Sequence, residues 1–576
     1  MSLKLKTKLI SSLGKIFPDE IIGQKLSSAT LLKNEPFSFQ VAFKNDDNFN
    51  EATLVYVRVE TDLNINLISE YSEGYVPVLR ADFPDSDNYF ERKIPGLYPD
   101  MLFRRKTNAD IIDDGQWWAP RWTEQNQKHL LESVKDSYKG LWFTINENGE
   151  DIDAGKHYIK IIFYDASNQE CISEEKLDIE IIDAKLPEQT LLYTSWFHCD
   201  CLSDIYDVEM FSEDFFNIMR SFVTEAAKTG MNMIMLPAFT PPLDTTPGRE
   251  RKTTQLVKIE KNGYEYSFDF SLMKKYIDIC RECGINNFEH NHLFTQWGAK
   301  HAPKIMANVD GNYVQIFGWE TDSTSEEYAA FLICYLRALK PFLRNMNLEN
   351  NIMFHISDEP NIKYISFYEN ALKVIREEIK DYPCGDALSS FDYYKKGYSK
   401  RPIVAVNSPE IDDFVANCND YWVYHTSAEL TDNSSSRVIP IPSARNRVIG
   451  IQMYVGNAKG FLHWGYNYYY GILSHGVFNP MINPCGYNQL AGASYIVYPD
   501  TNGKAIPSLR MKVFYEAVND YRALQTLERL IGRRQVVDFI NATAGKVDYK
   551  YSPSNEELFE LRQKINNEIS KNISVN

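Results

Sequence analysis

Ten residues, 351–360, constrain this chain more than any other stretch; they read NIMFHISDEP. Ile352, Phe354 and Ile356 alternate with Met353 and His355, which is the period of a buried strand. The run ends at Ser357, Asp358, Glu359 and Pro360, and Pro360 cannot donate to a strand ladder. Residues 363–381 then read as a helix. Strand, acidic tip, helix is how a β/α barrel presents carboxylates at the C-terminal ends of its strands.

That reading predicts more strands of the same kind, and the chain supplies them. Short apolar runs lie at 191–196, 231–236, 285–290, 352–356, 384–389, 402–406, 420–425 and 460–464. Amphipathic helical runs separate several of them, at 214–229, 272–283, 325–343 and 363–381. Alternation of this sort is the mark of β/α units. Eight strands over roughly 340 residues fit a (β/α)8 barrel with long loops. The helices around the fifth, sixth and seventh strands are short or missing in the sequence.

The first 185 residues have a different texture. Phe37, Phe39, Val41 and Phe43 alternate with smaller or polar residues, as do Val55, Val57 and Val59. Similar runs follow at 141–145, 158–164 and 177–182, with polar turns between them. Short alternating strands argue a β-sandwich. From Tyr98 to Trp122 the period is lost. That stretch, with Trp117, Trp118 and Trp122, reads as a long loop. The expected fold class is therefore multi-domain α and β: an N-terminal β-sandwich (1–185), a (β/α)8 TIM-like barrel (186–540) and a C-terminal helical extension (541–576).

Charge excludes one class of partner. With 78 acidic against 61 basic residues the formal charge is −17, so a phosphate backbone is repelled and nucleic acid is not expected. No run of ~18 apolar residues marks a membrane span. The basic start lacks the apolar core of a secretory signal, so the expected location is cytoplasmic, or secreted if a leader was removed. Nine cysteines are spread thinly and do not form a disulfide framework. Cys280 and Cys283 sit on a helical run, and Cys199 and Cys201 have no second pair at metal spacing. No metal or other cofactor is expected.

The strand ends gather His290, His292, Asp358, Glu359, Asp392, Trp464, Tyr466 and Asn467, a mixture of polar, acidic and aromatic groups. The acidic pair is the strongest of them. Crowded carboxyls raise one another's pKa, and one held protonated can act as general acid on a leaving oxygen. Glycoside hydrolysis usually needs two carboxylates. Glu359 as acid with Glu429 as nucleophile meets that need but leaves Asp358 idle. The substrate-assisted route instead uses a sugar's own 2-acetamido group as nucleophile, and it explains why two acids are neighbours.

The motifs HISDEP (355–360), LFTQWG (293–298), GFLHWGYN (460–467), YIVYP (495–499), SLR (508–510) and YEA (515–517) resemble those of glycoside hydrolase family 123. Their order agrees too, and the likeness covers most of residues 190–530. The resemblance implies an N-terminal β-sandwich, a (β/α)8 catalytic barrel and β-N-acetylgalactosaminidase activity on an oligosaccharide or glycoconjugate. It also implies the substrate-assisted mechanism, with Asp358 as acetamido stabiliser and Glu359 as general acid/base. Within that frame Trp464 is the expected stacking face for a sugar ring. Tyr466 and Asn467 are expected to meet hydroxyls, and His290, His292 and Trp297 to wall the subsite. Asp392 is expected to hold a hydroxyl and Tyr424 to support the acetamido pocket. Two alternatives remain: a retaining hydrolase of another sugar using Glu359 and Glu429, and a non-catalytic carbohydrate-binding protein on a hydrolase scaffold.

Overall fold

A computed structural model describes residues 4–46, 52–105, 130–246, 248–249, 251–426, 430–486 and 489–573. The chain divides into two compact units: Met1–Gln189 with Asn433–Val455 and Ile506–Asn576, and Thr190–Asp432 with Gly456–Ala505. Two segments inside the expected 186–540 span, 433–455 and 506–540, thus pack with the N-terminal residues.

The first unit carries two five-stranded sheets. One runs in the order Leu5–Ser11, Phe37–Asn45, Lys139–Ile145, Ile68–Val78 and Gly96–Arg105, antiparallel throughout. The other runs Ser28–Leu32, Cys171–Ile182, Gly155–Asp165, Ala52–Thr61 and Leu131–Val134. The alternating residues seen in the sequence point into one shared cluster. Phe37, Phe39, Val41 and Phe43 come from the first sheet, and Val55, Val57, Val59, Ile161 and Phe163 from the second. The rings of Phe43 and Phe163 sit 5.4 Å apart across it.

Part of the expected loop is a strand. Gly96–Arg105 pairs with Ile68–Val78, and the register shifts between Gly74 and Tyr75, where Met101 and Pro99 are the partners. Asp100 is the extra residue of that bulge, which breaks the period-two pattern and lets Pro99 sit in a strand. Trp117, Trp118 and Trp122 lie outside the described residues.

The second unit is a parallel barrel. Its strands are β1 (Leu192–Ser195), β2 (Met233–Leu236), β3 (Asn287–His290), β4 (Ile352–Phe354), β5 (Gly385–Ala387), β6 (Arg401–Ala405), β7 (Trp422–His425) and β8 (Gly460–His463). All eight expected strands form. They pair in the order β4-β3-β2-β1-β8-β7-β6-β5, each neighbour parallel. Between β4 and β5 the closure is a single bridge, Phe354 to Cys384, with the Phe354 N–H donating to the Pro383 carbonyl at 2.9 Å. The barrel is nearly closed, with TIM-like topology.

The helices start where the sequence provides caps. Ser212 and Ser325 accept from the N–H groups of Phe215 and Tyr328 at the heads of Glu213–Lys228 and Glu326–Asn345. After β5 and β6 the helices shrink to Asp392–Lys395 and Ile411–Asn417. Inside the barrel Met233, Met235, Met353, Ile403, Trp422 and Leu462 pack together. A four-stranded sheet is inserted after β2 and β3, from Lys258–Asn262, Glu265–Asp269, Ile305–Val309 and Asn312–Phe317. No helix among the described residues is long and apolar enough to cross a membrane.

Candidate active site

β4 ends as its sequence requires. Met353 and His355 take the inward parity and Phe354 the outward one, so the side chains divide between the barrel interior and the surrounding helices. Beyond the strand, the loop after β3 continues the pairing. Leu293 N–H donates to the His355 carbonyl at 3.1 Å, Phe294 to Ile356 at 2.9 Å and Trp297 to Asp358 at 2.6 Å. The Ser357 hydroxyl donates to the Thr295 carbonyl at 2.8 Å. Two residues here hold left-handed backbone, Trp297 at φ 64° and Glu359 at φ 41°. Such conformations cost about 1–3 kcal/mol each and concentrate at functional sites.

Glu359 faces an open cleft of about 570 Å³, lined also by Trp297, Tyr364, Ser389, Asn407 and Tyr424 among others. Both Asp358 and Glu359 are half-buried. The Tyr424 hydroxyl donates to Glu359 Oε1 at 2.6 Å. The Asp358 carboxylate has no hydrogen-bond or ion-pair partner among the described residues. Burial pushes its pKa well above the usual carboxylate range, the neighbouring charge of Glu359 adds to that, and His355 opposes it.

Beneath the pair lies a fully buried group that the sequence reading did not identify. His355 Nε2 is 2.7 Å from Glu289 Oε2, and its Nδ1 is 3.7 Å from Asp386 Oδ1. Glu289 also accepts from the Thr194 hydroxyl, and from Trp196 Nε1 at 3.1 Å. Asp386 accepts from the Ile356 N–H at 2.8 Å and the Ser357 N–H at 3.4 Å. The Tyr368 hydroxyl donates to its other oxygen at 2.5 Å. Burial alone would lower the His355 pKa, yet the carboxylates of Asp386 and Glu289 outweigh it and lift the imidazole to about 9. Burial pushes Asp386 up, against the pull of His355. The available signal was an acid, Glu289, next to the buried Phe288 inside a short strand.

The other expected site residues separate into two groups. Trp297 and Tyr424 line the cleft with Glu359. Trp464 is partly buried against the barrel cluster, its Nε1 donating to the Thr426 carbonyl at 2.7 Å. His292 stacks on His355 at 4.6 Å and meets the edge of Trp196. Both its ring nitrogens are without partners, and burial drives its pKa well down.

Like Trp464 and His292, four more residues are not among the cleft lining. His290 has outward parity: its Nε2 lies 2.7 Å from the Tyr335 hydroxyl and its ring stacks on Phe354. Tyr466 is buried, and its hydroxyl donates to the Phe222 carbonyl at 2.7 Å. Asn467 is spent on the backbone of His198, accepting at 2.8 Å and donating at 3.1 Å. Asp392 is exposed beside Lys395. Glu429 lies outside the described residues. Among those described, no cluster of His, Cys, Asp or Glu is arranged to hold a metal, and Cys199, Cys201 and Cys280 are buried helix residues.

The family model for the glycoside hydrolase 123 catalytic domain matches residues 196–527. Among solved structures, a family 123 glycoside hydrolase from Clostridium perfringens, described for the details of glycolipid glycan hydrolysis, is similar with a TM-score of 0.71 and 13% identity. The match covers 99% of this chain and 97% of that one, and it shows a shared fold. β-Glucuronidase 2 of Bacteroides uniformis gives a TM-score of only 0.30 at 9% identity, over 90% of this chain and 50% of that one. The Ruminococcus gnavus β-glucuronidase gives 0.31 at 8%, over 88% and 72%. No curated protein matches by sequence.

Proposed function

The chain belongs to glycoside hydrolase family 123, and from that premise we propose that it removes terminal β-linked N-acetylgalactosamine, or a related N-acetylhexosamine, from glycans. The mechanism is retaining and substrate-assisted. The 2-acetamido oxygen attacks C1 while Glu359 gives its proton to the leaving glycosidic oxygen, and the C1–O bond breaks. Asp358 accepts a hydrogen bond from the acetamido N–H and stabilises the positive charge that develops on the cyclised group. Glu359 then takes a proton from water, which attacks C1 and reopens the ring with the original configuration.

One observation carries this reading: of two adjacent half-buried acids, Glu359 lines the cleft and the two are unequally occupied. Glu359 is held by Tyr424, whereas the Asp358 carboxylate has no hydrogen-bond partner among the described residues. A carboxyl oxygen left unanswered beside Glu359 suits a donor brought by the substrate, and an acetamido N–H is such a donor. Trp297, at 45% exposure, offers a face for the sugar or its aglycone. Trp464 remains the stacking face on the β8 side. The two N-terminal sheets are read as a β-sandwich, by their shared core.

The test is a panel of aryl β-glycosides on the wild type, Asp358→Asn and Glu359→Gln. Only the 2-acetamido sugars are expected to turn over, and both variants are expected to be severely impaired. Near-normal activity of Asp358→Asn would sink the acetamido role. Turnover of glycosides lacking the acetamido group would favour a conventional nucleophile instead.

A further inference from the structure

A histidine fixed between two acids, directly under an unpartnered acid, suggests a role for itself. We propose that His355, clamped as an imidazolium between Glu289 and Asp386, is a positioning residue: it holds the turn bearing Asp358 and supplies a counter-charge that favours ionisation of that carboxylate against burial. This rests on the reading of Asp358 as the acetamido stabiliser.

The geometry makes the clamp two-sided. Glu289 meets His355 Nε2 from β3 at hydrogen-bonding distance, 2.7 Å, whereas Asp386 stands on the β5 side at an ion-pair distance of 3.7 Å from Nδ1, which makes no hydrogen bond among the described residues. All three side chains are at most 1% exposed, so no solvent screens them. A neutral imidazole carries one N–H and can serve one acid; an imidazolium can face both. Each acid is itself anchored. Thr194 and Trp196 donate to Glu289, and Tyr368 donates to Asp386. Asp386 also accepts from the N–H groups of Ile356 and Ser357, so the acid that faces His355 also secures the backbone leading into Asp358.

The remaining titratable neighbours are few. His292 stacks on His355 from the loop after β3, and burial keeps it neutral. His290 lies on the outward face of β3 and is also lowered by burial. Asp358 and Glu359 lie on the strand end of His355 itself. Among the described residues His355 is therefore the cation that acts on Asp358 against burial and the charge of Glu359. A bound sugar strips water from the cleft and makes ionisation of Asp358 harder still. The fixed cation offsets that without moving when substrate arrives.

Two measurements on the full chain test this. In nitrogen-15 histidine spectra of the wild type, one imidazolium should persist at pH 8; its absence would overturn the proposal, whatever happens to any variant. In His355→Gln, the acid limb of the pH profile of kcat/KM should move up by at least about one pH unit. The loss should then be about tenfold larger at pH 5 than at pH 8. A loss by the same factor at every pH would mean a merely structural role and would overturn the counter-charge. Activity retained by Asp358→Asn would instead fail the underlying site reading, while leaving the imidazolium measurement intact.

Discussion

Arg447 in the first unit reaches Asp520 through two nitrogens, at 2.7 and 2.8 Å, and Glu516 through a third at 2.6 Å. Arg510 grips both oxygens of Asp100 in the same way. In the barrel, by contrast, two acids surround a histidine, and two more acids stand above them with one hydrogen bond between them. Both groups are charged, and the lower one in the barrel is as deeply buried as the arginine network. The difference is in matching. A fork of guanidinium N–H groups meets carboxylates oxygen by oxygen, which suits a scaffold. Among the described residues nothing meets the Asp358 carboxyl, and such incompleteness suits a place where a ligand completes it. Buried charge alone does not mark a site; charge left unanswered beside a cleft does.

The contrast can be broken most strongly at its catalytic end. Glu359→Gln should lower kcat/KM on an aryl β-N-acetylhexosaminide on the order of 10³-fold with the melting temperature nearly unchanged. The mirror experiment is Asp520→Ala. Breaking a fully buried pair costs about 3–5 kcal/mol, read by denaturant unfolding, and should leave KM of the folded fraction alone. If Asp520→Ala changed KM while sparing stability, the division into scaffold and site would be wrong. Tyr424→Phe comes next: losing a hydrogen bond to a carboxylate should cut kcat/KM about tenfold, with no comparable fall in stability.

The smallest effect is a sign. The Asp358 pKa is raised in the folded state, so its contribution to stability is fully present below about pH 4 and lost as pH rises through the folded value. Asn does not titrate. The melting-temperature advantage of Asp358→Asn over wild type should therefore widen from pH 4 toward pH 8, and a constant gap would contradict the shift.

The barrel was legible because most of its strands are short apolar runs, and all eight form where the sequence places them. The inserted four-stranded sheet was not legible. Lys258–Asn262 and Glu265–Asp269 leave most of their residues exposed or half-exposed, so no apolar run announces them. The strand end that bears Asp358 and Glu359 is legible in the sequence, but which residues face the interior is not. Successive residues on a strand point to opposite sides, so His290 faces the helix Glu326–Asn345 while its neighbour Glu289 faces the interior. Taking a whole strand end as mouth-facing brought in His290, Tyr466 and Asn467 and passed over Glu289 and Asp386. Parity counted from the apolar core residue Met353 would have placed His355 inward.

The central claim is that the substrate's acetamido group, held by Asp358, is the nucleophile. Its most direct test is inhibition by a galactosamine-derived thiazoline, a stable mimic of the cyclised intermediate. The account predicts competitive inhibition far tighter than binding of the parent sugar, weakened on the order of 100-fold or more in Asp358→Asn. A wild-type enzyme that turns over its aryl glycoside and ignores the thiazoline would contradict it.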